Sequence, residues 1–208
     1  MKDYFKRPAI MEIIDHINSE NKLKILFTKK PLEPLNIDKY RTIKTNSSLL
    51  LKTSEKVQLN NSEWLINNCE NPTKYINEKS GLKGDTALLE ACFRNHEKLI
   101  LMLLDNGSDP NISNFGGVIP IMPLISHNNK KLVELFLPLT NLNYLFINKN
   151  NLAHLCTKKT FYFDIISNVE YISMIKLIFN NLKKYIDVKN NYGYTPLDLF
   201  TLELKNWN

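Results

Sequence analysis

The stretch Gly84-Asp85-Thr86-Ala87-Leu88-Leu89-Glu90-Ala91 constrains this chain most, together with Asn95-His96, Leu103-Leu104 and Asn106-Gly107-Ser108-Asp109-Pro110-Asn111 behind it. Small residues stand where a chain must turn, and two apolar segments of helical spacing lie between them. The pattern predicts a helix, a turn, a second helix and a Gly-bearing loop. Such a pair has an apolar face that one unit cannot bury alone. It is stable only where similar units stack on either side, so the chain should contain copies.

One copy begins about 33 residues downstream. Gly117-Val118-Ile119-Pro120-Ile121 answers Gly84-Asp85-Thr86-Ala87-Leu88, and the segment Lys130 to Leu137 answers Glu97 to Leu104. The clearest copy comes last, as Asp187-Val188-Lys189-Asn190-Asn191-Tyr192-Gly193-Tyr194-Thr195-Pro196-Leu197-Asp198-Leu199. These residues resemble the ankyrin-repeat family, whose signature is a turn Asn or Asp, a Gly, then Thr-Pro-Leu-His and a small residue. The resemblance extends from Gly81 to Asn208. An altered copy lies within it. Asn150-Asn151-Leu152-Ala153-His154-Leu155-Cys156 takes the first-helix slot and the segment Tyr171 to Phe179 the second. Their spacing is about ten residues wider than such a unit allows. The surplus falls around Thr160 to Ser167, where Phe161, Tyr162 and Phe163 are expected to pack as extra core, the alternative being that they project as a hydrophobic probe.

The resemblance implies an all-α ankyrin-repeat solenoid, with stacked helix-turn-helix units, hairpin loops and a helical N-terminal capping segment. That segment is read as residues 1–76, with a degenerate capping repeat inside it, and the array as 77–208. The repeats run at about 81–113, 114–145, 146–189 with an insertion near 160–170, and 190–208 as a partial C-terminal cap. At the front, Pro8 suits a helix start, and Ile10, Ile13, Ile14 and Ile17 form one apolar stripe. Two further helices are expected around Leu49-Leu50-Leu51 and Trp64-Leu65-Ile66, capped by Ser47 or Ser62. Trp64 and Trp207 are expected to be buried at the ends.

Within the array, helical spacing assigns the core to Leu88, Ala91, Leu99, Ile100, Leu103, Leu104, Leu132, Val133, Leu135, Phe136, Leu177, Ile178 and Leu197. Gly107 and Gly117 sit where the chain reverses, and Thr86 and Thr195 can cap the helices they precede. The resemblance gives His96 and His154 the task of bridging loops by hydrogen bonds.

Net charge is +6, and it is uneven: 12 Lys and Arg against 7 acids in the first 60 residues, 15 against 14 afterwards. The near-neutral array argues against nucleic acid as the ligand, since phosphate contacts need several cations on one face. Three widely spaced cysteines, Cys69, Cys92 and Cys156, fit a reducing compartment better than a disulfide frame. No apolar run reaches the roughly 18 residues of a membrane span, and the start shows no secretory signal. The chain is expected in a cytoplasm, or exported into a host cell without a recognisable signal peptide. The Asn, Lys and Ile bias resembles that of AT-rich genomes, such as those of many intracellular bacteria and large DNA viruses, which suggests a host-directed effector or host-range factor.

The chemistry-bearing residues do not assemble into a catalytic motif. Cys156 follows His154 by two positions, where helical side chains diverge, and Cys92 falls where the repeat needs a small buried residue. His16, His96, His127 and His154 lack metal-ligand spacing, and no phosphate-binding Gly loop is present. No cofactor or metal is expected. An active site near Asp15, His16 or Asp38 in the front segment is the alternative reading. RNA binding through aromatic and basic residues is a less favoured one.

The leading expectation is a non-catalytic, monomeric module that holds a partner protein. The resemblance puts partner contacts on hairpin tips and on the exposed face of each first helix. By register these are Leu82, Lys83, Asp85, Phe93 and Arg94, then Phe115, Val118 and His127 with Gly116 and Ser126, and last Tyr192 and Tyr194 with Asn191. Exposed aromatics and Arg commonly anchor interfaces, though Phe93 and Phe115 could equally pack on a neighbouring loop.

Overall fold

The structure, a computed structural model, describes residues 46–69, 71–143, 145–158 and 167–205. The Ile10 to Ile17 stripe, Asp15, His16 and Asp38 lie outside the described residues, as do Phe161, Tyr162, Phe163 and Trp207. The chain divides into two compact units, with the boundary between Val118 and Ile119.

The first unit contains α1 (Leu49–Glu55), α2 (Leu59–Asn68), α3 (Pro72–Ile76), α4 (Ala87–Phe93) and α5 (Glu97–Asp105). The second contains α6 (Ile121–Ser126), α7 (Lys130–Phe136), α8 (Leu152–Cys156), α9 (Asn168–Asn181) and α10 (Pro196–Lys205). Every named element among the described residues is helical. The ladder hydrogen bonding between Ser80 and Asp85 is an isolated bridge inside a loop.

Most of these helices are too short to persist alone, so their starts and packing must hold them. Side chains accept orphan N–H groups at several N-termini: Ser48 Oγ from Leu51 N (3.1 Å), Thr86 Oγ1 from Leu89 N (3.2 Å) and Asn129 Oδ1 from Leu132 N (3.2 Å). Ser167 and Glu170 form a reciprocal capping box on α9. One turn design recurs between the two helices of a pair: Lys56-Val57-Gln58, Arg94-Asn95-His96 and His127-Asn128-Asn129. Its middle residue is left-handed each time, with φ of 56°, 50° and 54°. Its last N–H returns to a carbonyl five residues back: Gln58 to Thr53 (2.8 Å), His96 to Ala91 (3.1 Å) and Asn129 to Leu124 (3.0 Å). The α1–α2 pair therefore closes as the α4–α5 and α6–α7 pairs do.

In the first unit α1 packs on α4 and α2 on α5, first helix on first and second on second. Leu49, Leu50, Leu65, Leu88, Leu89, Leu99, Ile100 and Leu103 are buried in the layer so formed. Each such side chain contributes about 1.5–3 kcal/mol on burial. In the second unit α6 pairs with α7, α8 pairs with α9, and α10 packs on α8. Ile121, Leu124, Ile125, Leu132, Val133 and Phe136 fill the α6–α7 pair, and Ala153, Tyr171, Met174 and Ile178 are buried in α8–α9. The Tyr171 hydroxyl donates to the Thr157 carbonyl just past α8.

Several expectations need correction. The first helix is capped by Ser48, not Ser47 or Ser62. Ser62 lies inside α2 and donates to Thr53 Oγ1 across the pair (2.8 Å). Leu135 is 39% exposed because α7 turns Leu132, Val133 and Phe136 inward, and Leu197 is 53% exposed because Pro196 takes the buried place at the start of α10. Leu104 and Leu177 are half-buried, and so is Trp64. Among the described residues His96 makes no loop bridge: its Nδ1 accepts from Leu99 N (3.2 Å) and caps α5.

Candidate functional site

Each hairpin loop is built by its own side chains. In the first, Ser80 N donates to Asp85 O (3.1 Å) and Gly84 N to Gly81 O (3.3 Å), which folds Gly81 to Gly84 into a tight turn. The turn lifts Leu82, 77% exposed, and Lys83 into solvent. In the next hairpin Asn114 N donates to Val118 O (3.0 Å), while Asn114 Oδ1 accepts from Gly116 N and Val118 N (3.0 Å each). The amide group left over reaches back to the preceding loop, where Asn114 Nδ2 donates to Asp85 Oδ1 (2.8 Å).

Two further contacts lock these loops together. Phe115 N donates to Lys83 O (2.9 Å). The Phe115 ring lies on Gly84, where an added Cβ would fall 2.7 Å from ring carbons and φ is +67°. Only glycine accommodates both the backbone angle and the ring. Phe115 remains 73% exposed, so the ring rests on Gly84 and offers the rest of its surface to solvent.

The second unit repeats this construction. Asn190 N donates to Tyr194 O (3.0 Å), and Asn190 Oδ1 accepts from Tyr192 N (3.0 Å) and Tyr194 N (3.1 Å). Asn190 Nδ2 donates to Asn150 Oδ1 (3.0 Å) and Asn191 N to Asn148 O (2.9 Å). Asn190 thus stands where Asn114 does, and Asn191 where Phe115 does. Tyr192 and Tyr194 are 67% and 44% exposed. Below them the buried His154 ring donates from Nε2 to Tyr194 O (3.0 Å), the loop bridge expected of it. Burial holds its pKa below the ordinary value, against the raising effect of backbone hydrogen bonds to Tyr194 and Val188.

The residues singled out in the sequence are placed unequally. Leu82, Lys83, Phe115, Tyr192 and Tyr194 are exposed tip residues, the first three in the first unit and the tyrosines in the second. Asp85 is buried, its carboxylate serving as the strut for Asn114. Arg94 is exposed but donates from Nε to Glu90 Oε1 (2.8 Å), an ion pair that opposes the upward push of burial on the Glu90 carboxyl. Phe93, Val118 and His127 are half-buried. In the sequence Gly84 and Asn190 stand out only as repeat-motif positions and Asn114 not at all, although Asn114-Phe115-Gly116-Gly117 and Asn190-Asn191-Tyr192-Gly193 share an Asn-x-x-Gly pattern.

The reactive groups are used structurally. Cys92 and Cys156 are fully buried, and burial pushes both thiols up, away from the nucleophilic thiolate. His154 spends Nε2 on Tyr194 O and turns Nδ1 to Asn151, so it is not free to activate Cys156. No helix among the described residues is long and apolar enough to cross a membrane.

Residues 83–115 match the family model described as "Ankyrin repeat". The match begins at one hairpin tip, spans α4 and α5, and ends at the Phe115 tip. A segment of 69 residues, 32% of this chain, is 39% identical to the human "SMC5-SMC6 complex localization factor protein 1", and covers 6% of that protein's length.

Proposed function

We propose that this chain, whose helices form an all-α ankyrin-repeat fold and whose residues 83–115 are an ankyrin repeat, is a non-catalytic module that binds another protein through its hairpin tips. One observation carries the reading. In the first unit, Asn114 and Gly84 join two successive loops so that Leu82 and Phe115 stay in water, at 77% and 73% exposure, on a braced backbone. Large apolar side chains held out by a built support suit docking, because little conformational freedom remains to be lost when a partner arrives.

Tyr192 and Tyr194 give the second unit a surface of similar kind, with an amphipathic ring in each exposed position. The human relative is named as a localization factor for a complex, which favours an adaptor role over a catalytic one here. The Asn, Lys and Ile bias favours a host protein as the partner and an effector or host-range role. Capture from host-cell lysate tests the reading with three chains: the native sequence, Leu82→Asp with Phe115→Ala, and Tyr192→Ala with Tyr194→Ala. The expected result is loss of a specific captured protein in at least one variant with an unchanged melting curve. Capture that survives in both removes the tips from consideration.

A further inference from the structure

We infer that the loop tips of the first unit take an acidic protein segment that carries an apolar anchor side chain. This inference rests on the proposal that the tips are a protein-binding surface, and it adds the chemistry of what they hold. It comes from how the fold sorts charge. Glu78-Lys79-Ser80-Gly81-Leu82-Lys83-Gly84-Asp85 is formally neutral, with two lysines against two acids. Folding separates the signs. Lys79 and Lys83, which flank Leu82 in the sequence, are exposed, whereas Asp85 is 7% exposed with its carboxylate accepting from Asn114, and Glu78 is half-buried.

The neighbouring tip adds no charge to offset the lysines. Asn111 to Val118 contains no ionisable side chain. Asp109, just before it, turns its carboxylate onto Asn111 N (2.8 Å) and Asn111 Nδ2 (3.1 Å). Among the described residues neither Lys79 nor Lys83 pairs with a carboxylate. Lys83 is also fastened to the aromatic platform, because its carbonyl accepts from Phe115 N (2.9 Å). The first-unit tips therefore carry two exposed apolar side chains, Leu82 and Phe115, and two exposed lysines that pair with no carboxylate among the described residues.

An apolar side chain set on these tips would meet the exposed cations of Lys79 and Lys83, while the Asp85 carboxylate is turned inward onto Asn114. Carboxylates beside the anchor complete the fit. The anchor supplies most of the affinity, and the charges supply partner choice and encounter rate. A basic segment would meet like charge at Lys79 and Lys83.

Panning a phage-displayed random peptide library on the immobilised full chain tests this, followed by fluorescence anisotropy of the enriched peptides at low and high salt. The expected result is enrichment of acidic peptides bearing Leu, Phe or Trp. Their affinity should fall about tenfold in Lys79→Glu with Lys83→Glu, and weaken as salt rises. Circular dichroism melts confirm that the variants fold. Enriched peptides that are neutral or basic, yet lose binding in Leu82→Asp with Phe115→Ala, overturn the acidic class and leave the tip surface standing. Acidic peptides that bind the Leu82→Asp, Phe115→Ala chain as well as the native one overturn both. Failure to enrich any sequence overturns the inference, as does capture of a random single-stranded oligonucleotide in preference to peptides.

Discussion

Two residues show where this chain carries local cost and where it avoids it. Val57 holds φ of +56° in the turn between α1 and α2, a conformation that Asn95 and Asn128 adopt in the sibling turns. A β-branched residue is strained there, whereas Asn tolerates it through its short polar side chain. Val57→Asn should therefore raise stability by about 0.5–1 kcal/mol, read as an increase in the denaturant midpoint. His154 offers the opposite case. Its pKa in the unfolded chain lies near 6.5, and burial lowers it in the folded state. Below pH 6.5 the unfolded chain binds a proton that the folded ring resists, so stability is fully present above that pH and is lost as pH falls through the window beneath it. Denaturation at pH 8.0 and 5.5 should show this loss, and His154→Asn should flatten it. A pH slope unchanged in the variant would reject the assignment.

Among the elements, the hairpins rather than the helices determine what the molecule presents. Gly84→Ala would put a Cβ 2.7 Å from the Phe115 ring, at a φ that disfavours any side chain. The expected outcome is a loss of about 1–2 kcal/mol in thermal or chemical unfolding, with Phe115 displaced and tip binding weakened together. Asn114→Ala leaves the Gly116 and Val118 amides and the Asp85 carboxylate without their partner, and should cost about 1–3 kcal/mol. The helices themselves were legible, because Thr86, Ala87, Leu88, Leu89 and Ala91 declare a capped apolar face by type and spacing alone. The sorting of Asp85 inward and Lys83 outward was not legible. Both are charged neighbours of the same glycine, and only the amide of Asn114, 29 positions away, distinguishes them. His96 was misread for a related reason: the same ring that bridges loops in one slot caps a helix in another, and the slot depends on where the turn ends.

At the scale of the molecule, each unit stabilises itself by stacking like upon like. The first unit places α1 on α4 and α2 on α5, and α1–α2 shares the three-residue turn of the later pairs although its sequence carries no repeat signature. The sequence shows that kinship only as a degenerate repeat of two helices, since Ser48, Val57 and Gln58 replace the Thr, Asn and His of Thr86, Asn95 and His96. Backbone hydrogen bonds preserved the design where side chains did not. The consequence for function is a firm mount on which Leu82 and Phe115 stand clear of the core. The most direct test is side-chain footprinting by carbene labelling of the full chain with and without its captured protein partner. Leu82 and Phe115 should both lose most of their labelling in the complex while the folded core stays unlabelled throughout. Undiminished labelling of both, with protection confined to surfaces away from the tips, would contradict the account.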